Sequence, residues 1–294
     1  HQSTMETTKR VHSRFSTDQG RTWTAEDTVP DGTDVEGMPR TSPDDPPTEY
    51  GEVGLIQCPN GDLLALHRQM GPDRRPKKRL GENLLRSTDG GYSWKSEGIV
   101  MNEPNIRYAL DHCSVGKTIL TPYIQGKGVI LLASRDNGRT WQKRSTIGDE
   151  KAGANETGIV HLGGQRLMVV CRTYAERTTI QRYSDDLGPW RDVTDQVAVV
   201  QQPRLRRFAS QPNRVYLFGR NRYQETTQRN AVWWSDDDGK TWTGFDLDEK
   251  DYIDTGYGDA LFRNDGSMVC LAYRGRDERA ELIRYLVRVP GLNR

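Results

Sequence analysis

The chain has 294 residues, 28% of them charged and 34% hydrophobic, and its 42 basic and 41 acidic side chains leave a net charge of +1. That balance excludes an acidic tail or a globally basic nucleic-acid binder, and no apolar run approaches the roughly 18 residues of a membrane-spanning helix. The mean hydropathy of −0.83 argues against a large core, but 7 Trp, 12 Tyr and 29 Gly suit sheets packed on few, bulky side chains.

The N-terminal residues His1 to Met5 show neither a basic nor an apolar leader region, so no signal peptide is visible. From there a turn-like motif punctuates the chain. Ser16, Asp18, Gly20 and Trp23 recur at the same spacing as Ser87, Asp89, Gly91 and Trp94, then as Ser134, Asp136, Gly138 and Trp141, and again as Ser235, Asp237, Gly239 and Trp242. A degenerate copy, Ser184, Asp186, Gly188 and Trp190, is one residue short. Asp and Ser can bond turn backbone, Gly can take a positive φ, and Trp can staple the turn to a sheet. The aspartates are therefore read as structural. Successive copies start 71, 47, 50 and 51 residues apart, and about 50 residues is one four-stranded propeller blade.

Between the turns, segments 51–69, 158–173 and 258–275 each read as strand, Gly-containing turn, strand. Segments 83–91, 129–138 and 231–239 supply a third strand running into the turn. No stretch sustains a 3.6-residue apolar period. The expectation is an all-β, six-bladed β-propeller of four-stranded antiparallel blades, a single domain over 1–294. Blade 1 (1–40) is incomplete, followed by blades at about 49–100, 107–148, 154–195, 199–249 and 255–291. Cys58, Cys113, Cys171 and Cys270 lie in β-like runs without metal-ligand spacing and are expected to pack as small hydrophobes.

The repeated turns are similar to Asp boxes, and the chain resembles the sialidase superfamily of six-bladed propellers over nearly its whole length. Segment 155–162, with Asn155 and Glu156, resembles the family's catalytic-glutamate segment. Sixteen residues on, the strand ending in Arg172 resembles the one that ends in the second arginine of the substrate-binding triad. Arg229, leading into the fifth turn, sits as the third arginine does, and Gly256-Tyr257 resembles the nucleophilic-tyrosine segment. The resemblance implies a retaining exo-glycosidase without metal or organic cofactor, releasing a terminal acidic sugar from a glycan, with nucleic acid not a partner. Tyr257 would attack, Glu156 would take its proton, and Arg172 with Arg229 would grip the sugar carboxylate.

The family's opening arginine strand has no counterpart here, and the length falls short of six blades by about two strands. For the general acid, Glu6 is the only carboxylate between His1 and Arg10. Arg274 stands where many relatives carry an acidic residue. Placement at strand ends puts Tyr50, His67, Arg68, Arg107, Tyr108, Asp111, Tyr123, Arg204 and Arg274 at or beside the same rim, with Arg68, Arg107, Tyr108 and Arg274 as substrate contacts. Two other readings stay open: a lyase or hydrolase on uronic-acid polysaccharides, with Tyr108 and His112 abstracting a proton, and a non-catalytic glycan-binding propeller. A glycan substrate outside the cell implies a secreted or periplasmic protein.

Overall fold

The computed structural model describes residues 13–28, 30–31, 49–70, 79–101, 106–108, 111–149, 151, 153–173, 179–193, 200–222, 228–276 and 279–289. The chain is all-β with the blade-by-blade organisation of a β-propeller, but five blade sheets are present among these residues rather than six. The expected first blade supplies no strand there, since 13–28 form only the first repeated turn and its flanks.

Strands β1 (Glu49–Gln57), β2 (Leu63–Met70), β3 (Arg79–Ser87) and β4 (Lys95–Met101) pair antiparallel in sequence order. Strands β5 (Ile106–Tyr108), β6 (Cys113–Val115), β7 (Thr118–Gln125), β8 (Gly128–Ser134) and β9 (Gln142–Gly148) make the second sheet. The third is β10 (Ala154–Gly163), β11 (Arg166–Thr173), β12 (Thr179–Ser184) and β13 (Arg191–Asp192). The fourth is β14 (Val200–Arg206), β15 (Val215–Arg222), β16 (Gln228–Ser235) and β17 (Thr243–Asp246). The last has three strands, β18 (Asp254–Phe262), β19 (Met268–Arg276) and β20 (Arg279–Val287).

Two compact units are distinguishable. The first holds residues 1–108 with 116–119 and 134–141; the second holds 109–115, 120–133 and 142–294. In the first unit, Ile56, Leu64, Leu66, Leu84 and Leu85 are fully buried. In the second, one apolar cluster joins Leu120, Val129 and Leu131 to Ile159, Leu167 and Val169. A second cluster joins Val160, Met168 and Val170 to Leu205, Leu217 and Trp233, and a third joins Phe218 and Val232 to Met268, Cys270 and Val287. Each layer fills the space between successive sheets, so a modest apolar fraction suffices. Cys171 and Cys270 lie inside these layers as free thiols, and burial pushes the Cys171 thiol up to about 11.

The repeated turns work through their aspartates. Asp136 Oδ1 accepts from Ser134 Oγ at 2.8 Å and from the Thr140 N–H at 2.9 Å, and its Oδ2 accepts from Thr140 Oγ1 at 2.6 Å. Ser134 Oγ in turn accepts the Gly138 N–H at 2.8 Å. Asp237 repeats the pattern with Ser235, Thr241 and Gly239. Burial opposes ionisation of Asp136, but the Thr140 and Ser134 hydrogen bonds outweigh it and hold the carboxyl at about 2. A group held so far below its ordinary range, with its oxygens committed to the turn, is a structural anion. Two successive positive φ values close the turn, 58° at Asn137 and 82° at Gly138. The tryptophan clamps it, with Trp141 Nε1 donating to Gly138 O at 3.1 Å.

Candidate active site

The innermost strands of the last three sheets, β10, β14 and β18, share a departure from regular pairing. Register slips between Ala154 and Thr157, between Gln201 and Arg204, and between Gly256 and Asp259. In each case two residues face one on the partner strand, the geometry of a β-bulge, which re-aims side chains away from the strict alternation of the pleat. The bulged pairs are Asn155-Glu156, Gln202-Pro203 and Tyr257-Gly258. Gln202 and Tyr257 take left-handed backbone conformations, with φ of 54° and 44°.

These irregularities bring the side chains together within the second unit. Tyr257 Oη donates to Glu156 Oε1 at 2.9 Å. Glu156 Oε2 accepts from Arg172 Nη1 at 3.0 Å and from the Gln202 N–H at 3.1 Å. The Glu156 side chain is 12% exposed and that of Arg172 28%, so the ion pair sits in a partly desolvated niche open at one side. Tyr257 is exposed. Its ring stacks on Tyr273 at a centroid distance of 6.1 Å and 14° between planes. Tyr273 Oη donates to Asp254 Oδ2 at 2.7 Å, and Arg220 Nη1 holds Asp254 Oδ1 at 2.8 Å. Burial, with the neighbouring Asp254 carboxylate, raises the Tyr273 phenol well above its ordinary value, so it stays a neutral donor beside Tyr257.

Arg229 is engaged by two carboxylates, one on β17 and one in the segment between β17 and β18. Its Nε donates to Asp251 Oδ1 at 2.6 Å and its Nη1 to Asp246 Oδ2 at 3.2 Å, which holds its pKa above the ordinary arginine value. Arg274 lies over the Tyr252 ring at 5.1 Å and pairs with Glu281 at 3.5 Å.

The remaining rim expectations are changed by burial. Asp111 and Tyr123 are fully buried and line no opening. Asp111 Oδ2 instead accepts the N–H groups of Ile159 and Leu205, both at 3.0 Å, and its Oδ1 accepts Arg206 Nη1 at 2.5 Å. Arg204 approaches the same carboxylate at 3.9 Å. His112 keeps a buried Nδ1 with no bonding partner, and burial together with the Arg206 charge lowers it to about 4. It is neutral at pH 7, and the residue as a whole is half-buried. Glu6 lies outside the described residues, as do the side chains of Tyr50, His67, Arg68, Arg107 and Tyr108, whose backbones lie on β1, β2 and β5. No group of three His, Cys, Asp or Glu side chains is placed to hold a metal among the described residues, and no helix there is long and apolar enough to cross a membrane.

Sequence reading missed Gln202, Asp254, Tyr273 and Arg220. Gln202 takes the first position of the β14 bulge, as Asn155 does on β10 and Tyr257 on β18, an equivalence given by strand pairing and not by spacing along the chain. The other three have no pattern apart from the fold.

Turn and blade together define an all-β propeller protein built on BNR-type repeats. Residues 55–270 match the family model described as a BNR repeat-like domain, and the chain belongs to that family. No curated protein matches it in sequence. A protein of unknown function from Dyadobacter fermentans is similar in structure at 19% identity, with a TM-score of 0.72 over 94% of this chain and 82% of its own. A Hadza microbial sialidase is similar at 17% identity and a TM-score of 0.71, over 91% of this chain; the match spans 57% of the sialidase. The intramolecular trans-sialidase from Ruminococcus gnavus, solved with oseltamivir carboxylate, is similar at 12% identity and a TM-score of 0.65, over 92% of this chain and 86% of its own. At such identities the likeness establishes the fold.

Proposed function

We propose that this protein is a retaining exo-glycosidase that releases a terminal acidic sugar of the sialic-acid or related keto- or uronic-acid class. The observation that carries the reading is the Tyr257 hydroxyl held 2.9 Å from Glu156 Oε1 while Arg172 grips the other oxygen. A phenol with an ordinary pKa of about 10 is a poor nucleophile unless a base takes its proton, and Glu156 is in place to do so. As Tyr257 Oη bonds to the anomeric carbon, its proton passes to Glu156. The glycosidic C–O bond breaks and the leaving oxygen takes a proton from a general acid, for which Glu6 remains the candidate. Water then gives a proton to the carboxylate that acted as general acid and attacks the same carbon, the tyrosyl C–O bond breaks, and the phenolate takes back the proton held by Glu156.

A neutral tyrosine approaches an anomeric centre that already bears a carboxylate without like-charge repulsion, which is why sialidases depart from the two-carboxylate arrangement. Arg172 and Arg229 provide the fork-like clamp for that carboxylate. For Arg229 this requires the sugar to exchange with Asp251, whose side chain is 41% exposed. Likeness to two sialidase folds supports the class of reaction.

The test is turnover of 4-methylumbelliferyl α-N-acetylneuraminide by the wild type and by Tyr257→Phe. The variant is expected to lose at least about a thousandfold in kcat, with an unchanged circular-dichroism spectrum. Full activity in the variant refutes the mechanism. Binding of sialosides without turnover by the wild type identifies a glycan-binding propeller instead.

A further inference from the structure

The residue that ties the two reacting side chains together is neither of them. Gln202 is 3% exposed and sits at the bulge of β14 with a left-handed φ of 54°. That conformation is strained for a residue with a side chain. The following Pro203 disfavours the right-handed helical alternative. What the conformation achieves is visible in two bonds. The Gln202 N–H points at Glu156 Oε2 at 3.1 Å, and the Gln202 Oε1 accepts the Tyr257 N–H at 2.5 Å. One residue therefore holds the carboxylate by its backbone and the tyrosine's main chain by its side chain.

The fit around it is tight. A Cβ placed on Gly256, whose φ is 129°, would overlap Gln202 Oε1, so the glycine before the tyrosine is the space in which the glutamine amide lies. Tyr257, also left-handed, presents its N–H to that amide. Glutamine is suited to the position because it accepts a bond at this reach without a charge. Asparagine is one methylene shorter, and glutamate would set a second carboxylate close to Glu156.

We propose that Gln202 is a positioning residue: by bridging Glu156 and Tyr257 it sets the phenol-to-carboxylate contact on which proton transfer depends. The proposal rests on the reading of Tyr257 and Glu156 as the reacting pair. Gln202 acts through both without touching the reacting atoms, so its loss is expected in kcat more than in KM. A displacement of about 1 Å in such a pair is worth about a hundredfold in rate.

The experiment compares wild type, Gln202→Met and Gln202→Glu, with thermal unfolding as a check on folding and 4-methylumbelliferyl α-N-acetylneuraminide as substrate. Methionine keeps the volume and removes the acceptor; glutamate restores an acceptor oxygen and adds charge. Gln202→Met is expected to lose 10- to 100-fold in kcat, with KM within threefold. Gln202→Glu is expected to recover kcat to within about fivefold of wild type, with the acidic limb of its pH profile moved upward, because a like charge beside Glu156 favours its protonated form. A kcat within twofold of wild type in Gln202→Met overturns the proposal. So does an equal loss in both variants, which marks a merely structural role. A second readout needs no turnover: the Tyr257 13Cζ signal in tyrosine-labelled protein, assigned with Tyr257→Phe. It is expected to shift in Gln202→Met and to stay near its wild-type position in Gln202→Glu at pH 7. An inactive wild type overturns the glycosidase reading alone, and the carbon signal then decides Gln202: unchanged in Gln202→Met, it overturns the positioning role as well.

Discussion

Replacing Asp111 tests the assignment of that carboxylate to architecture rather than chemistry. The group is fully buried and receives four hydrogen bonds: from the N–H groups of His112, Ile159 and Leu205, each at 3.0 Å, and from Arg206 at 2.5 Å. Ile159 lies on β10 and Leu205 on β14, so one side chain joins the inner strands of two sheets. In Asp111→Asn a single amide oxygen replaces two carboxylate oxygens, and the amide NH2 faces donors it cannot satisfy. A buried donor left unpaired costs about 1–3 kcal/mol, and removing one partner of a buried ion pair costs about 3–5 kcal/mol. Arg206 retains Asp259, whose carboxylate is half exposed, which moves the expectation to the lower end. We expect a loss of about 3 kcal/mol for Asp111→Asn and about 4–5 kcal/mol for Asp111→Ala. Urea unfolding followed by tryptophan fluorescence measures it; at a slope of about 3 kcal/mol/M the asparagine variant should unfold about 1 M earlier. A midpoint within about 0.3 M of wild type refutes the rivet argument. A well-folded variant that has lost turnover a hundredfold would instead return Asp111 to the chemistry.

Gly239→Ala should cost about 3 kcal/mol, because φ is +85° and the new Cβ would meet Met168 Sδ, Gln181 and Tyr183. Gly266→Ala, at φ +79° with nothing within 4 Å, should cost only about 1 kcal/mol; equal losses in the two would show that packing is not the difference. His112 is held neutral down to about pH 4 in the folded protein but titrates near 6.5 when unfolded, so the unfolded chain binds the extra proton first. Its contribution is complete above pH 6.5 and falls away towards pH 4, about 3 kcal/mol in all. His112→Gln should flatten that part of a urea-midpoint-against-pH curve, and an unaltered slope would refute the assignment. Asp251→Asn removes one of the carboxylates on Arg229 and is expected to lower KM for an acidic sugar severalfold; a raised KM would argue that Arg229 does not meet the substrate.

Much of the architecture is legible in local chemistry. The repeated turn needs a hydroxyl, a carboxylate, a glycine and a tryptophan at fixed offsets; the first three bond within a few residues of one another, so spacing alone identifies it, while the tryptophan bonds its own glycine in Trp94 and Trp141 but reaches another blade's Gln181 in Trp242. Strand order follows, because each blade is a meander of neighbours in sequence. The blade count was less legible: among the described residues, 13–28 hold the Ser16 turn and its flanks, and five blade sheets follow rather than six. Rim placement failed at Asp111 and Tyr123 because alternation along a strand tells which face a residue takes, but not whether a neighbouring sheet covers it.

Arginine supplies 32 of the 42 basic residues and lysine only 10, and the roles of the arginines divide along the same line. Arg86 forks onto Glu97 and reaches Asp62, Arg214 forks onto Asp236, and Arg206 joins Asp111 to Asp259. These three arginines tie the protein's own carboxylates together, while Arg172 and Arg229 are the two proposed to serve substrate. By itself, then, the sequence determined the blade unit and its turn chemistry, because those depend on contacts and spacings within one blade, whereas the residue types of the proposed reacting pair rest on the resemblance of their segments to those of the sialidase superfamily. Only the tertiary structure decided that Glu156, Gln202 and Tyr257 meet. They come from three different blades, and their approach depends on bulges and left-handed residues whose partners lie 46 to 101 positions away along the chain.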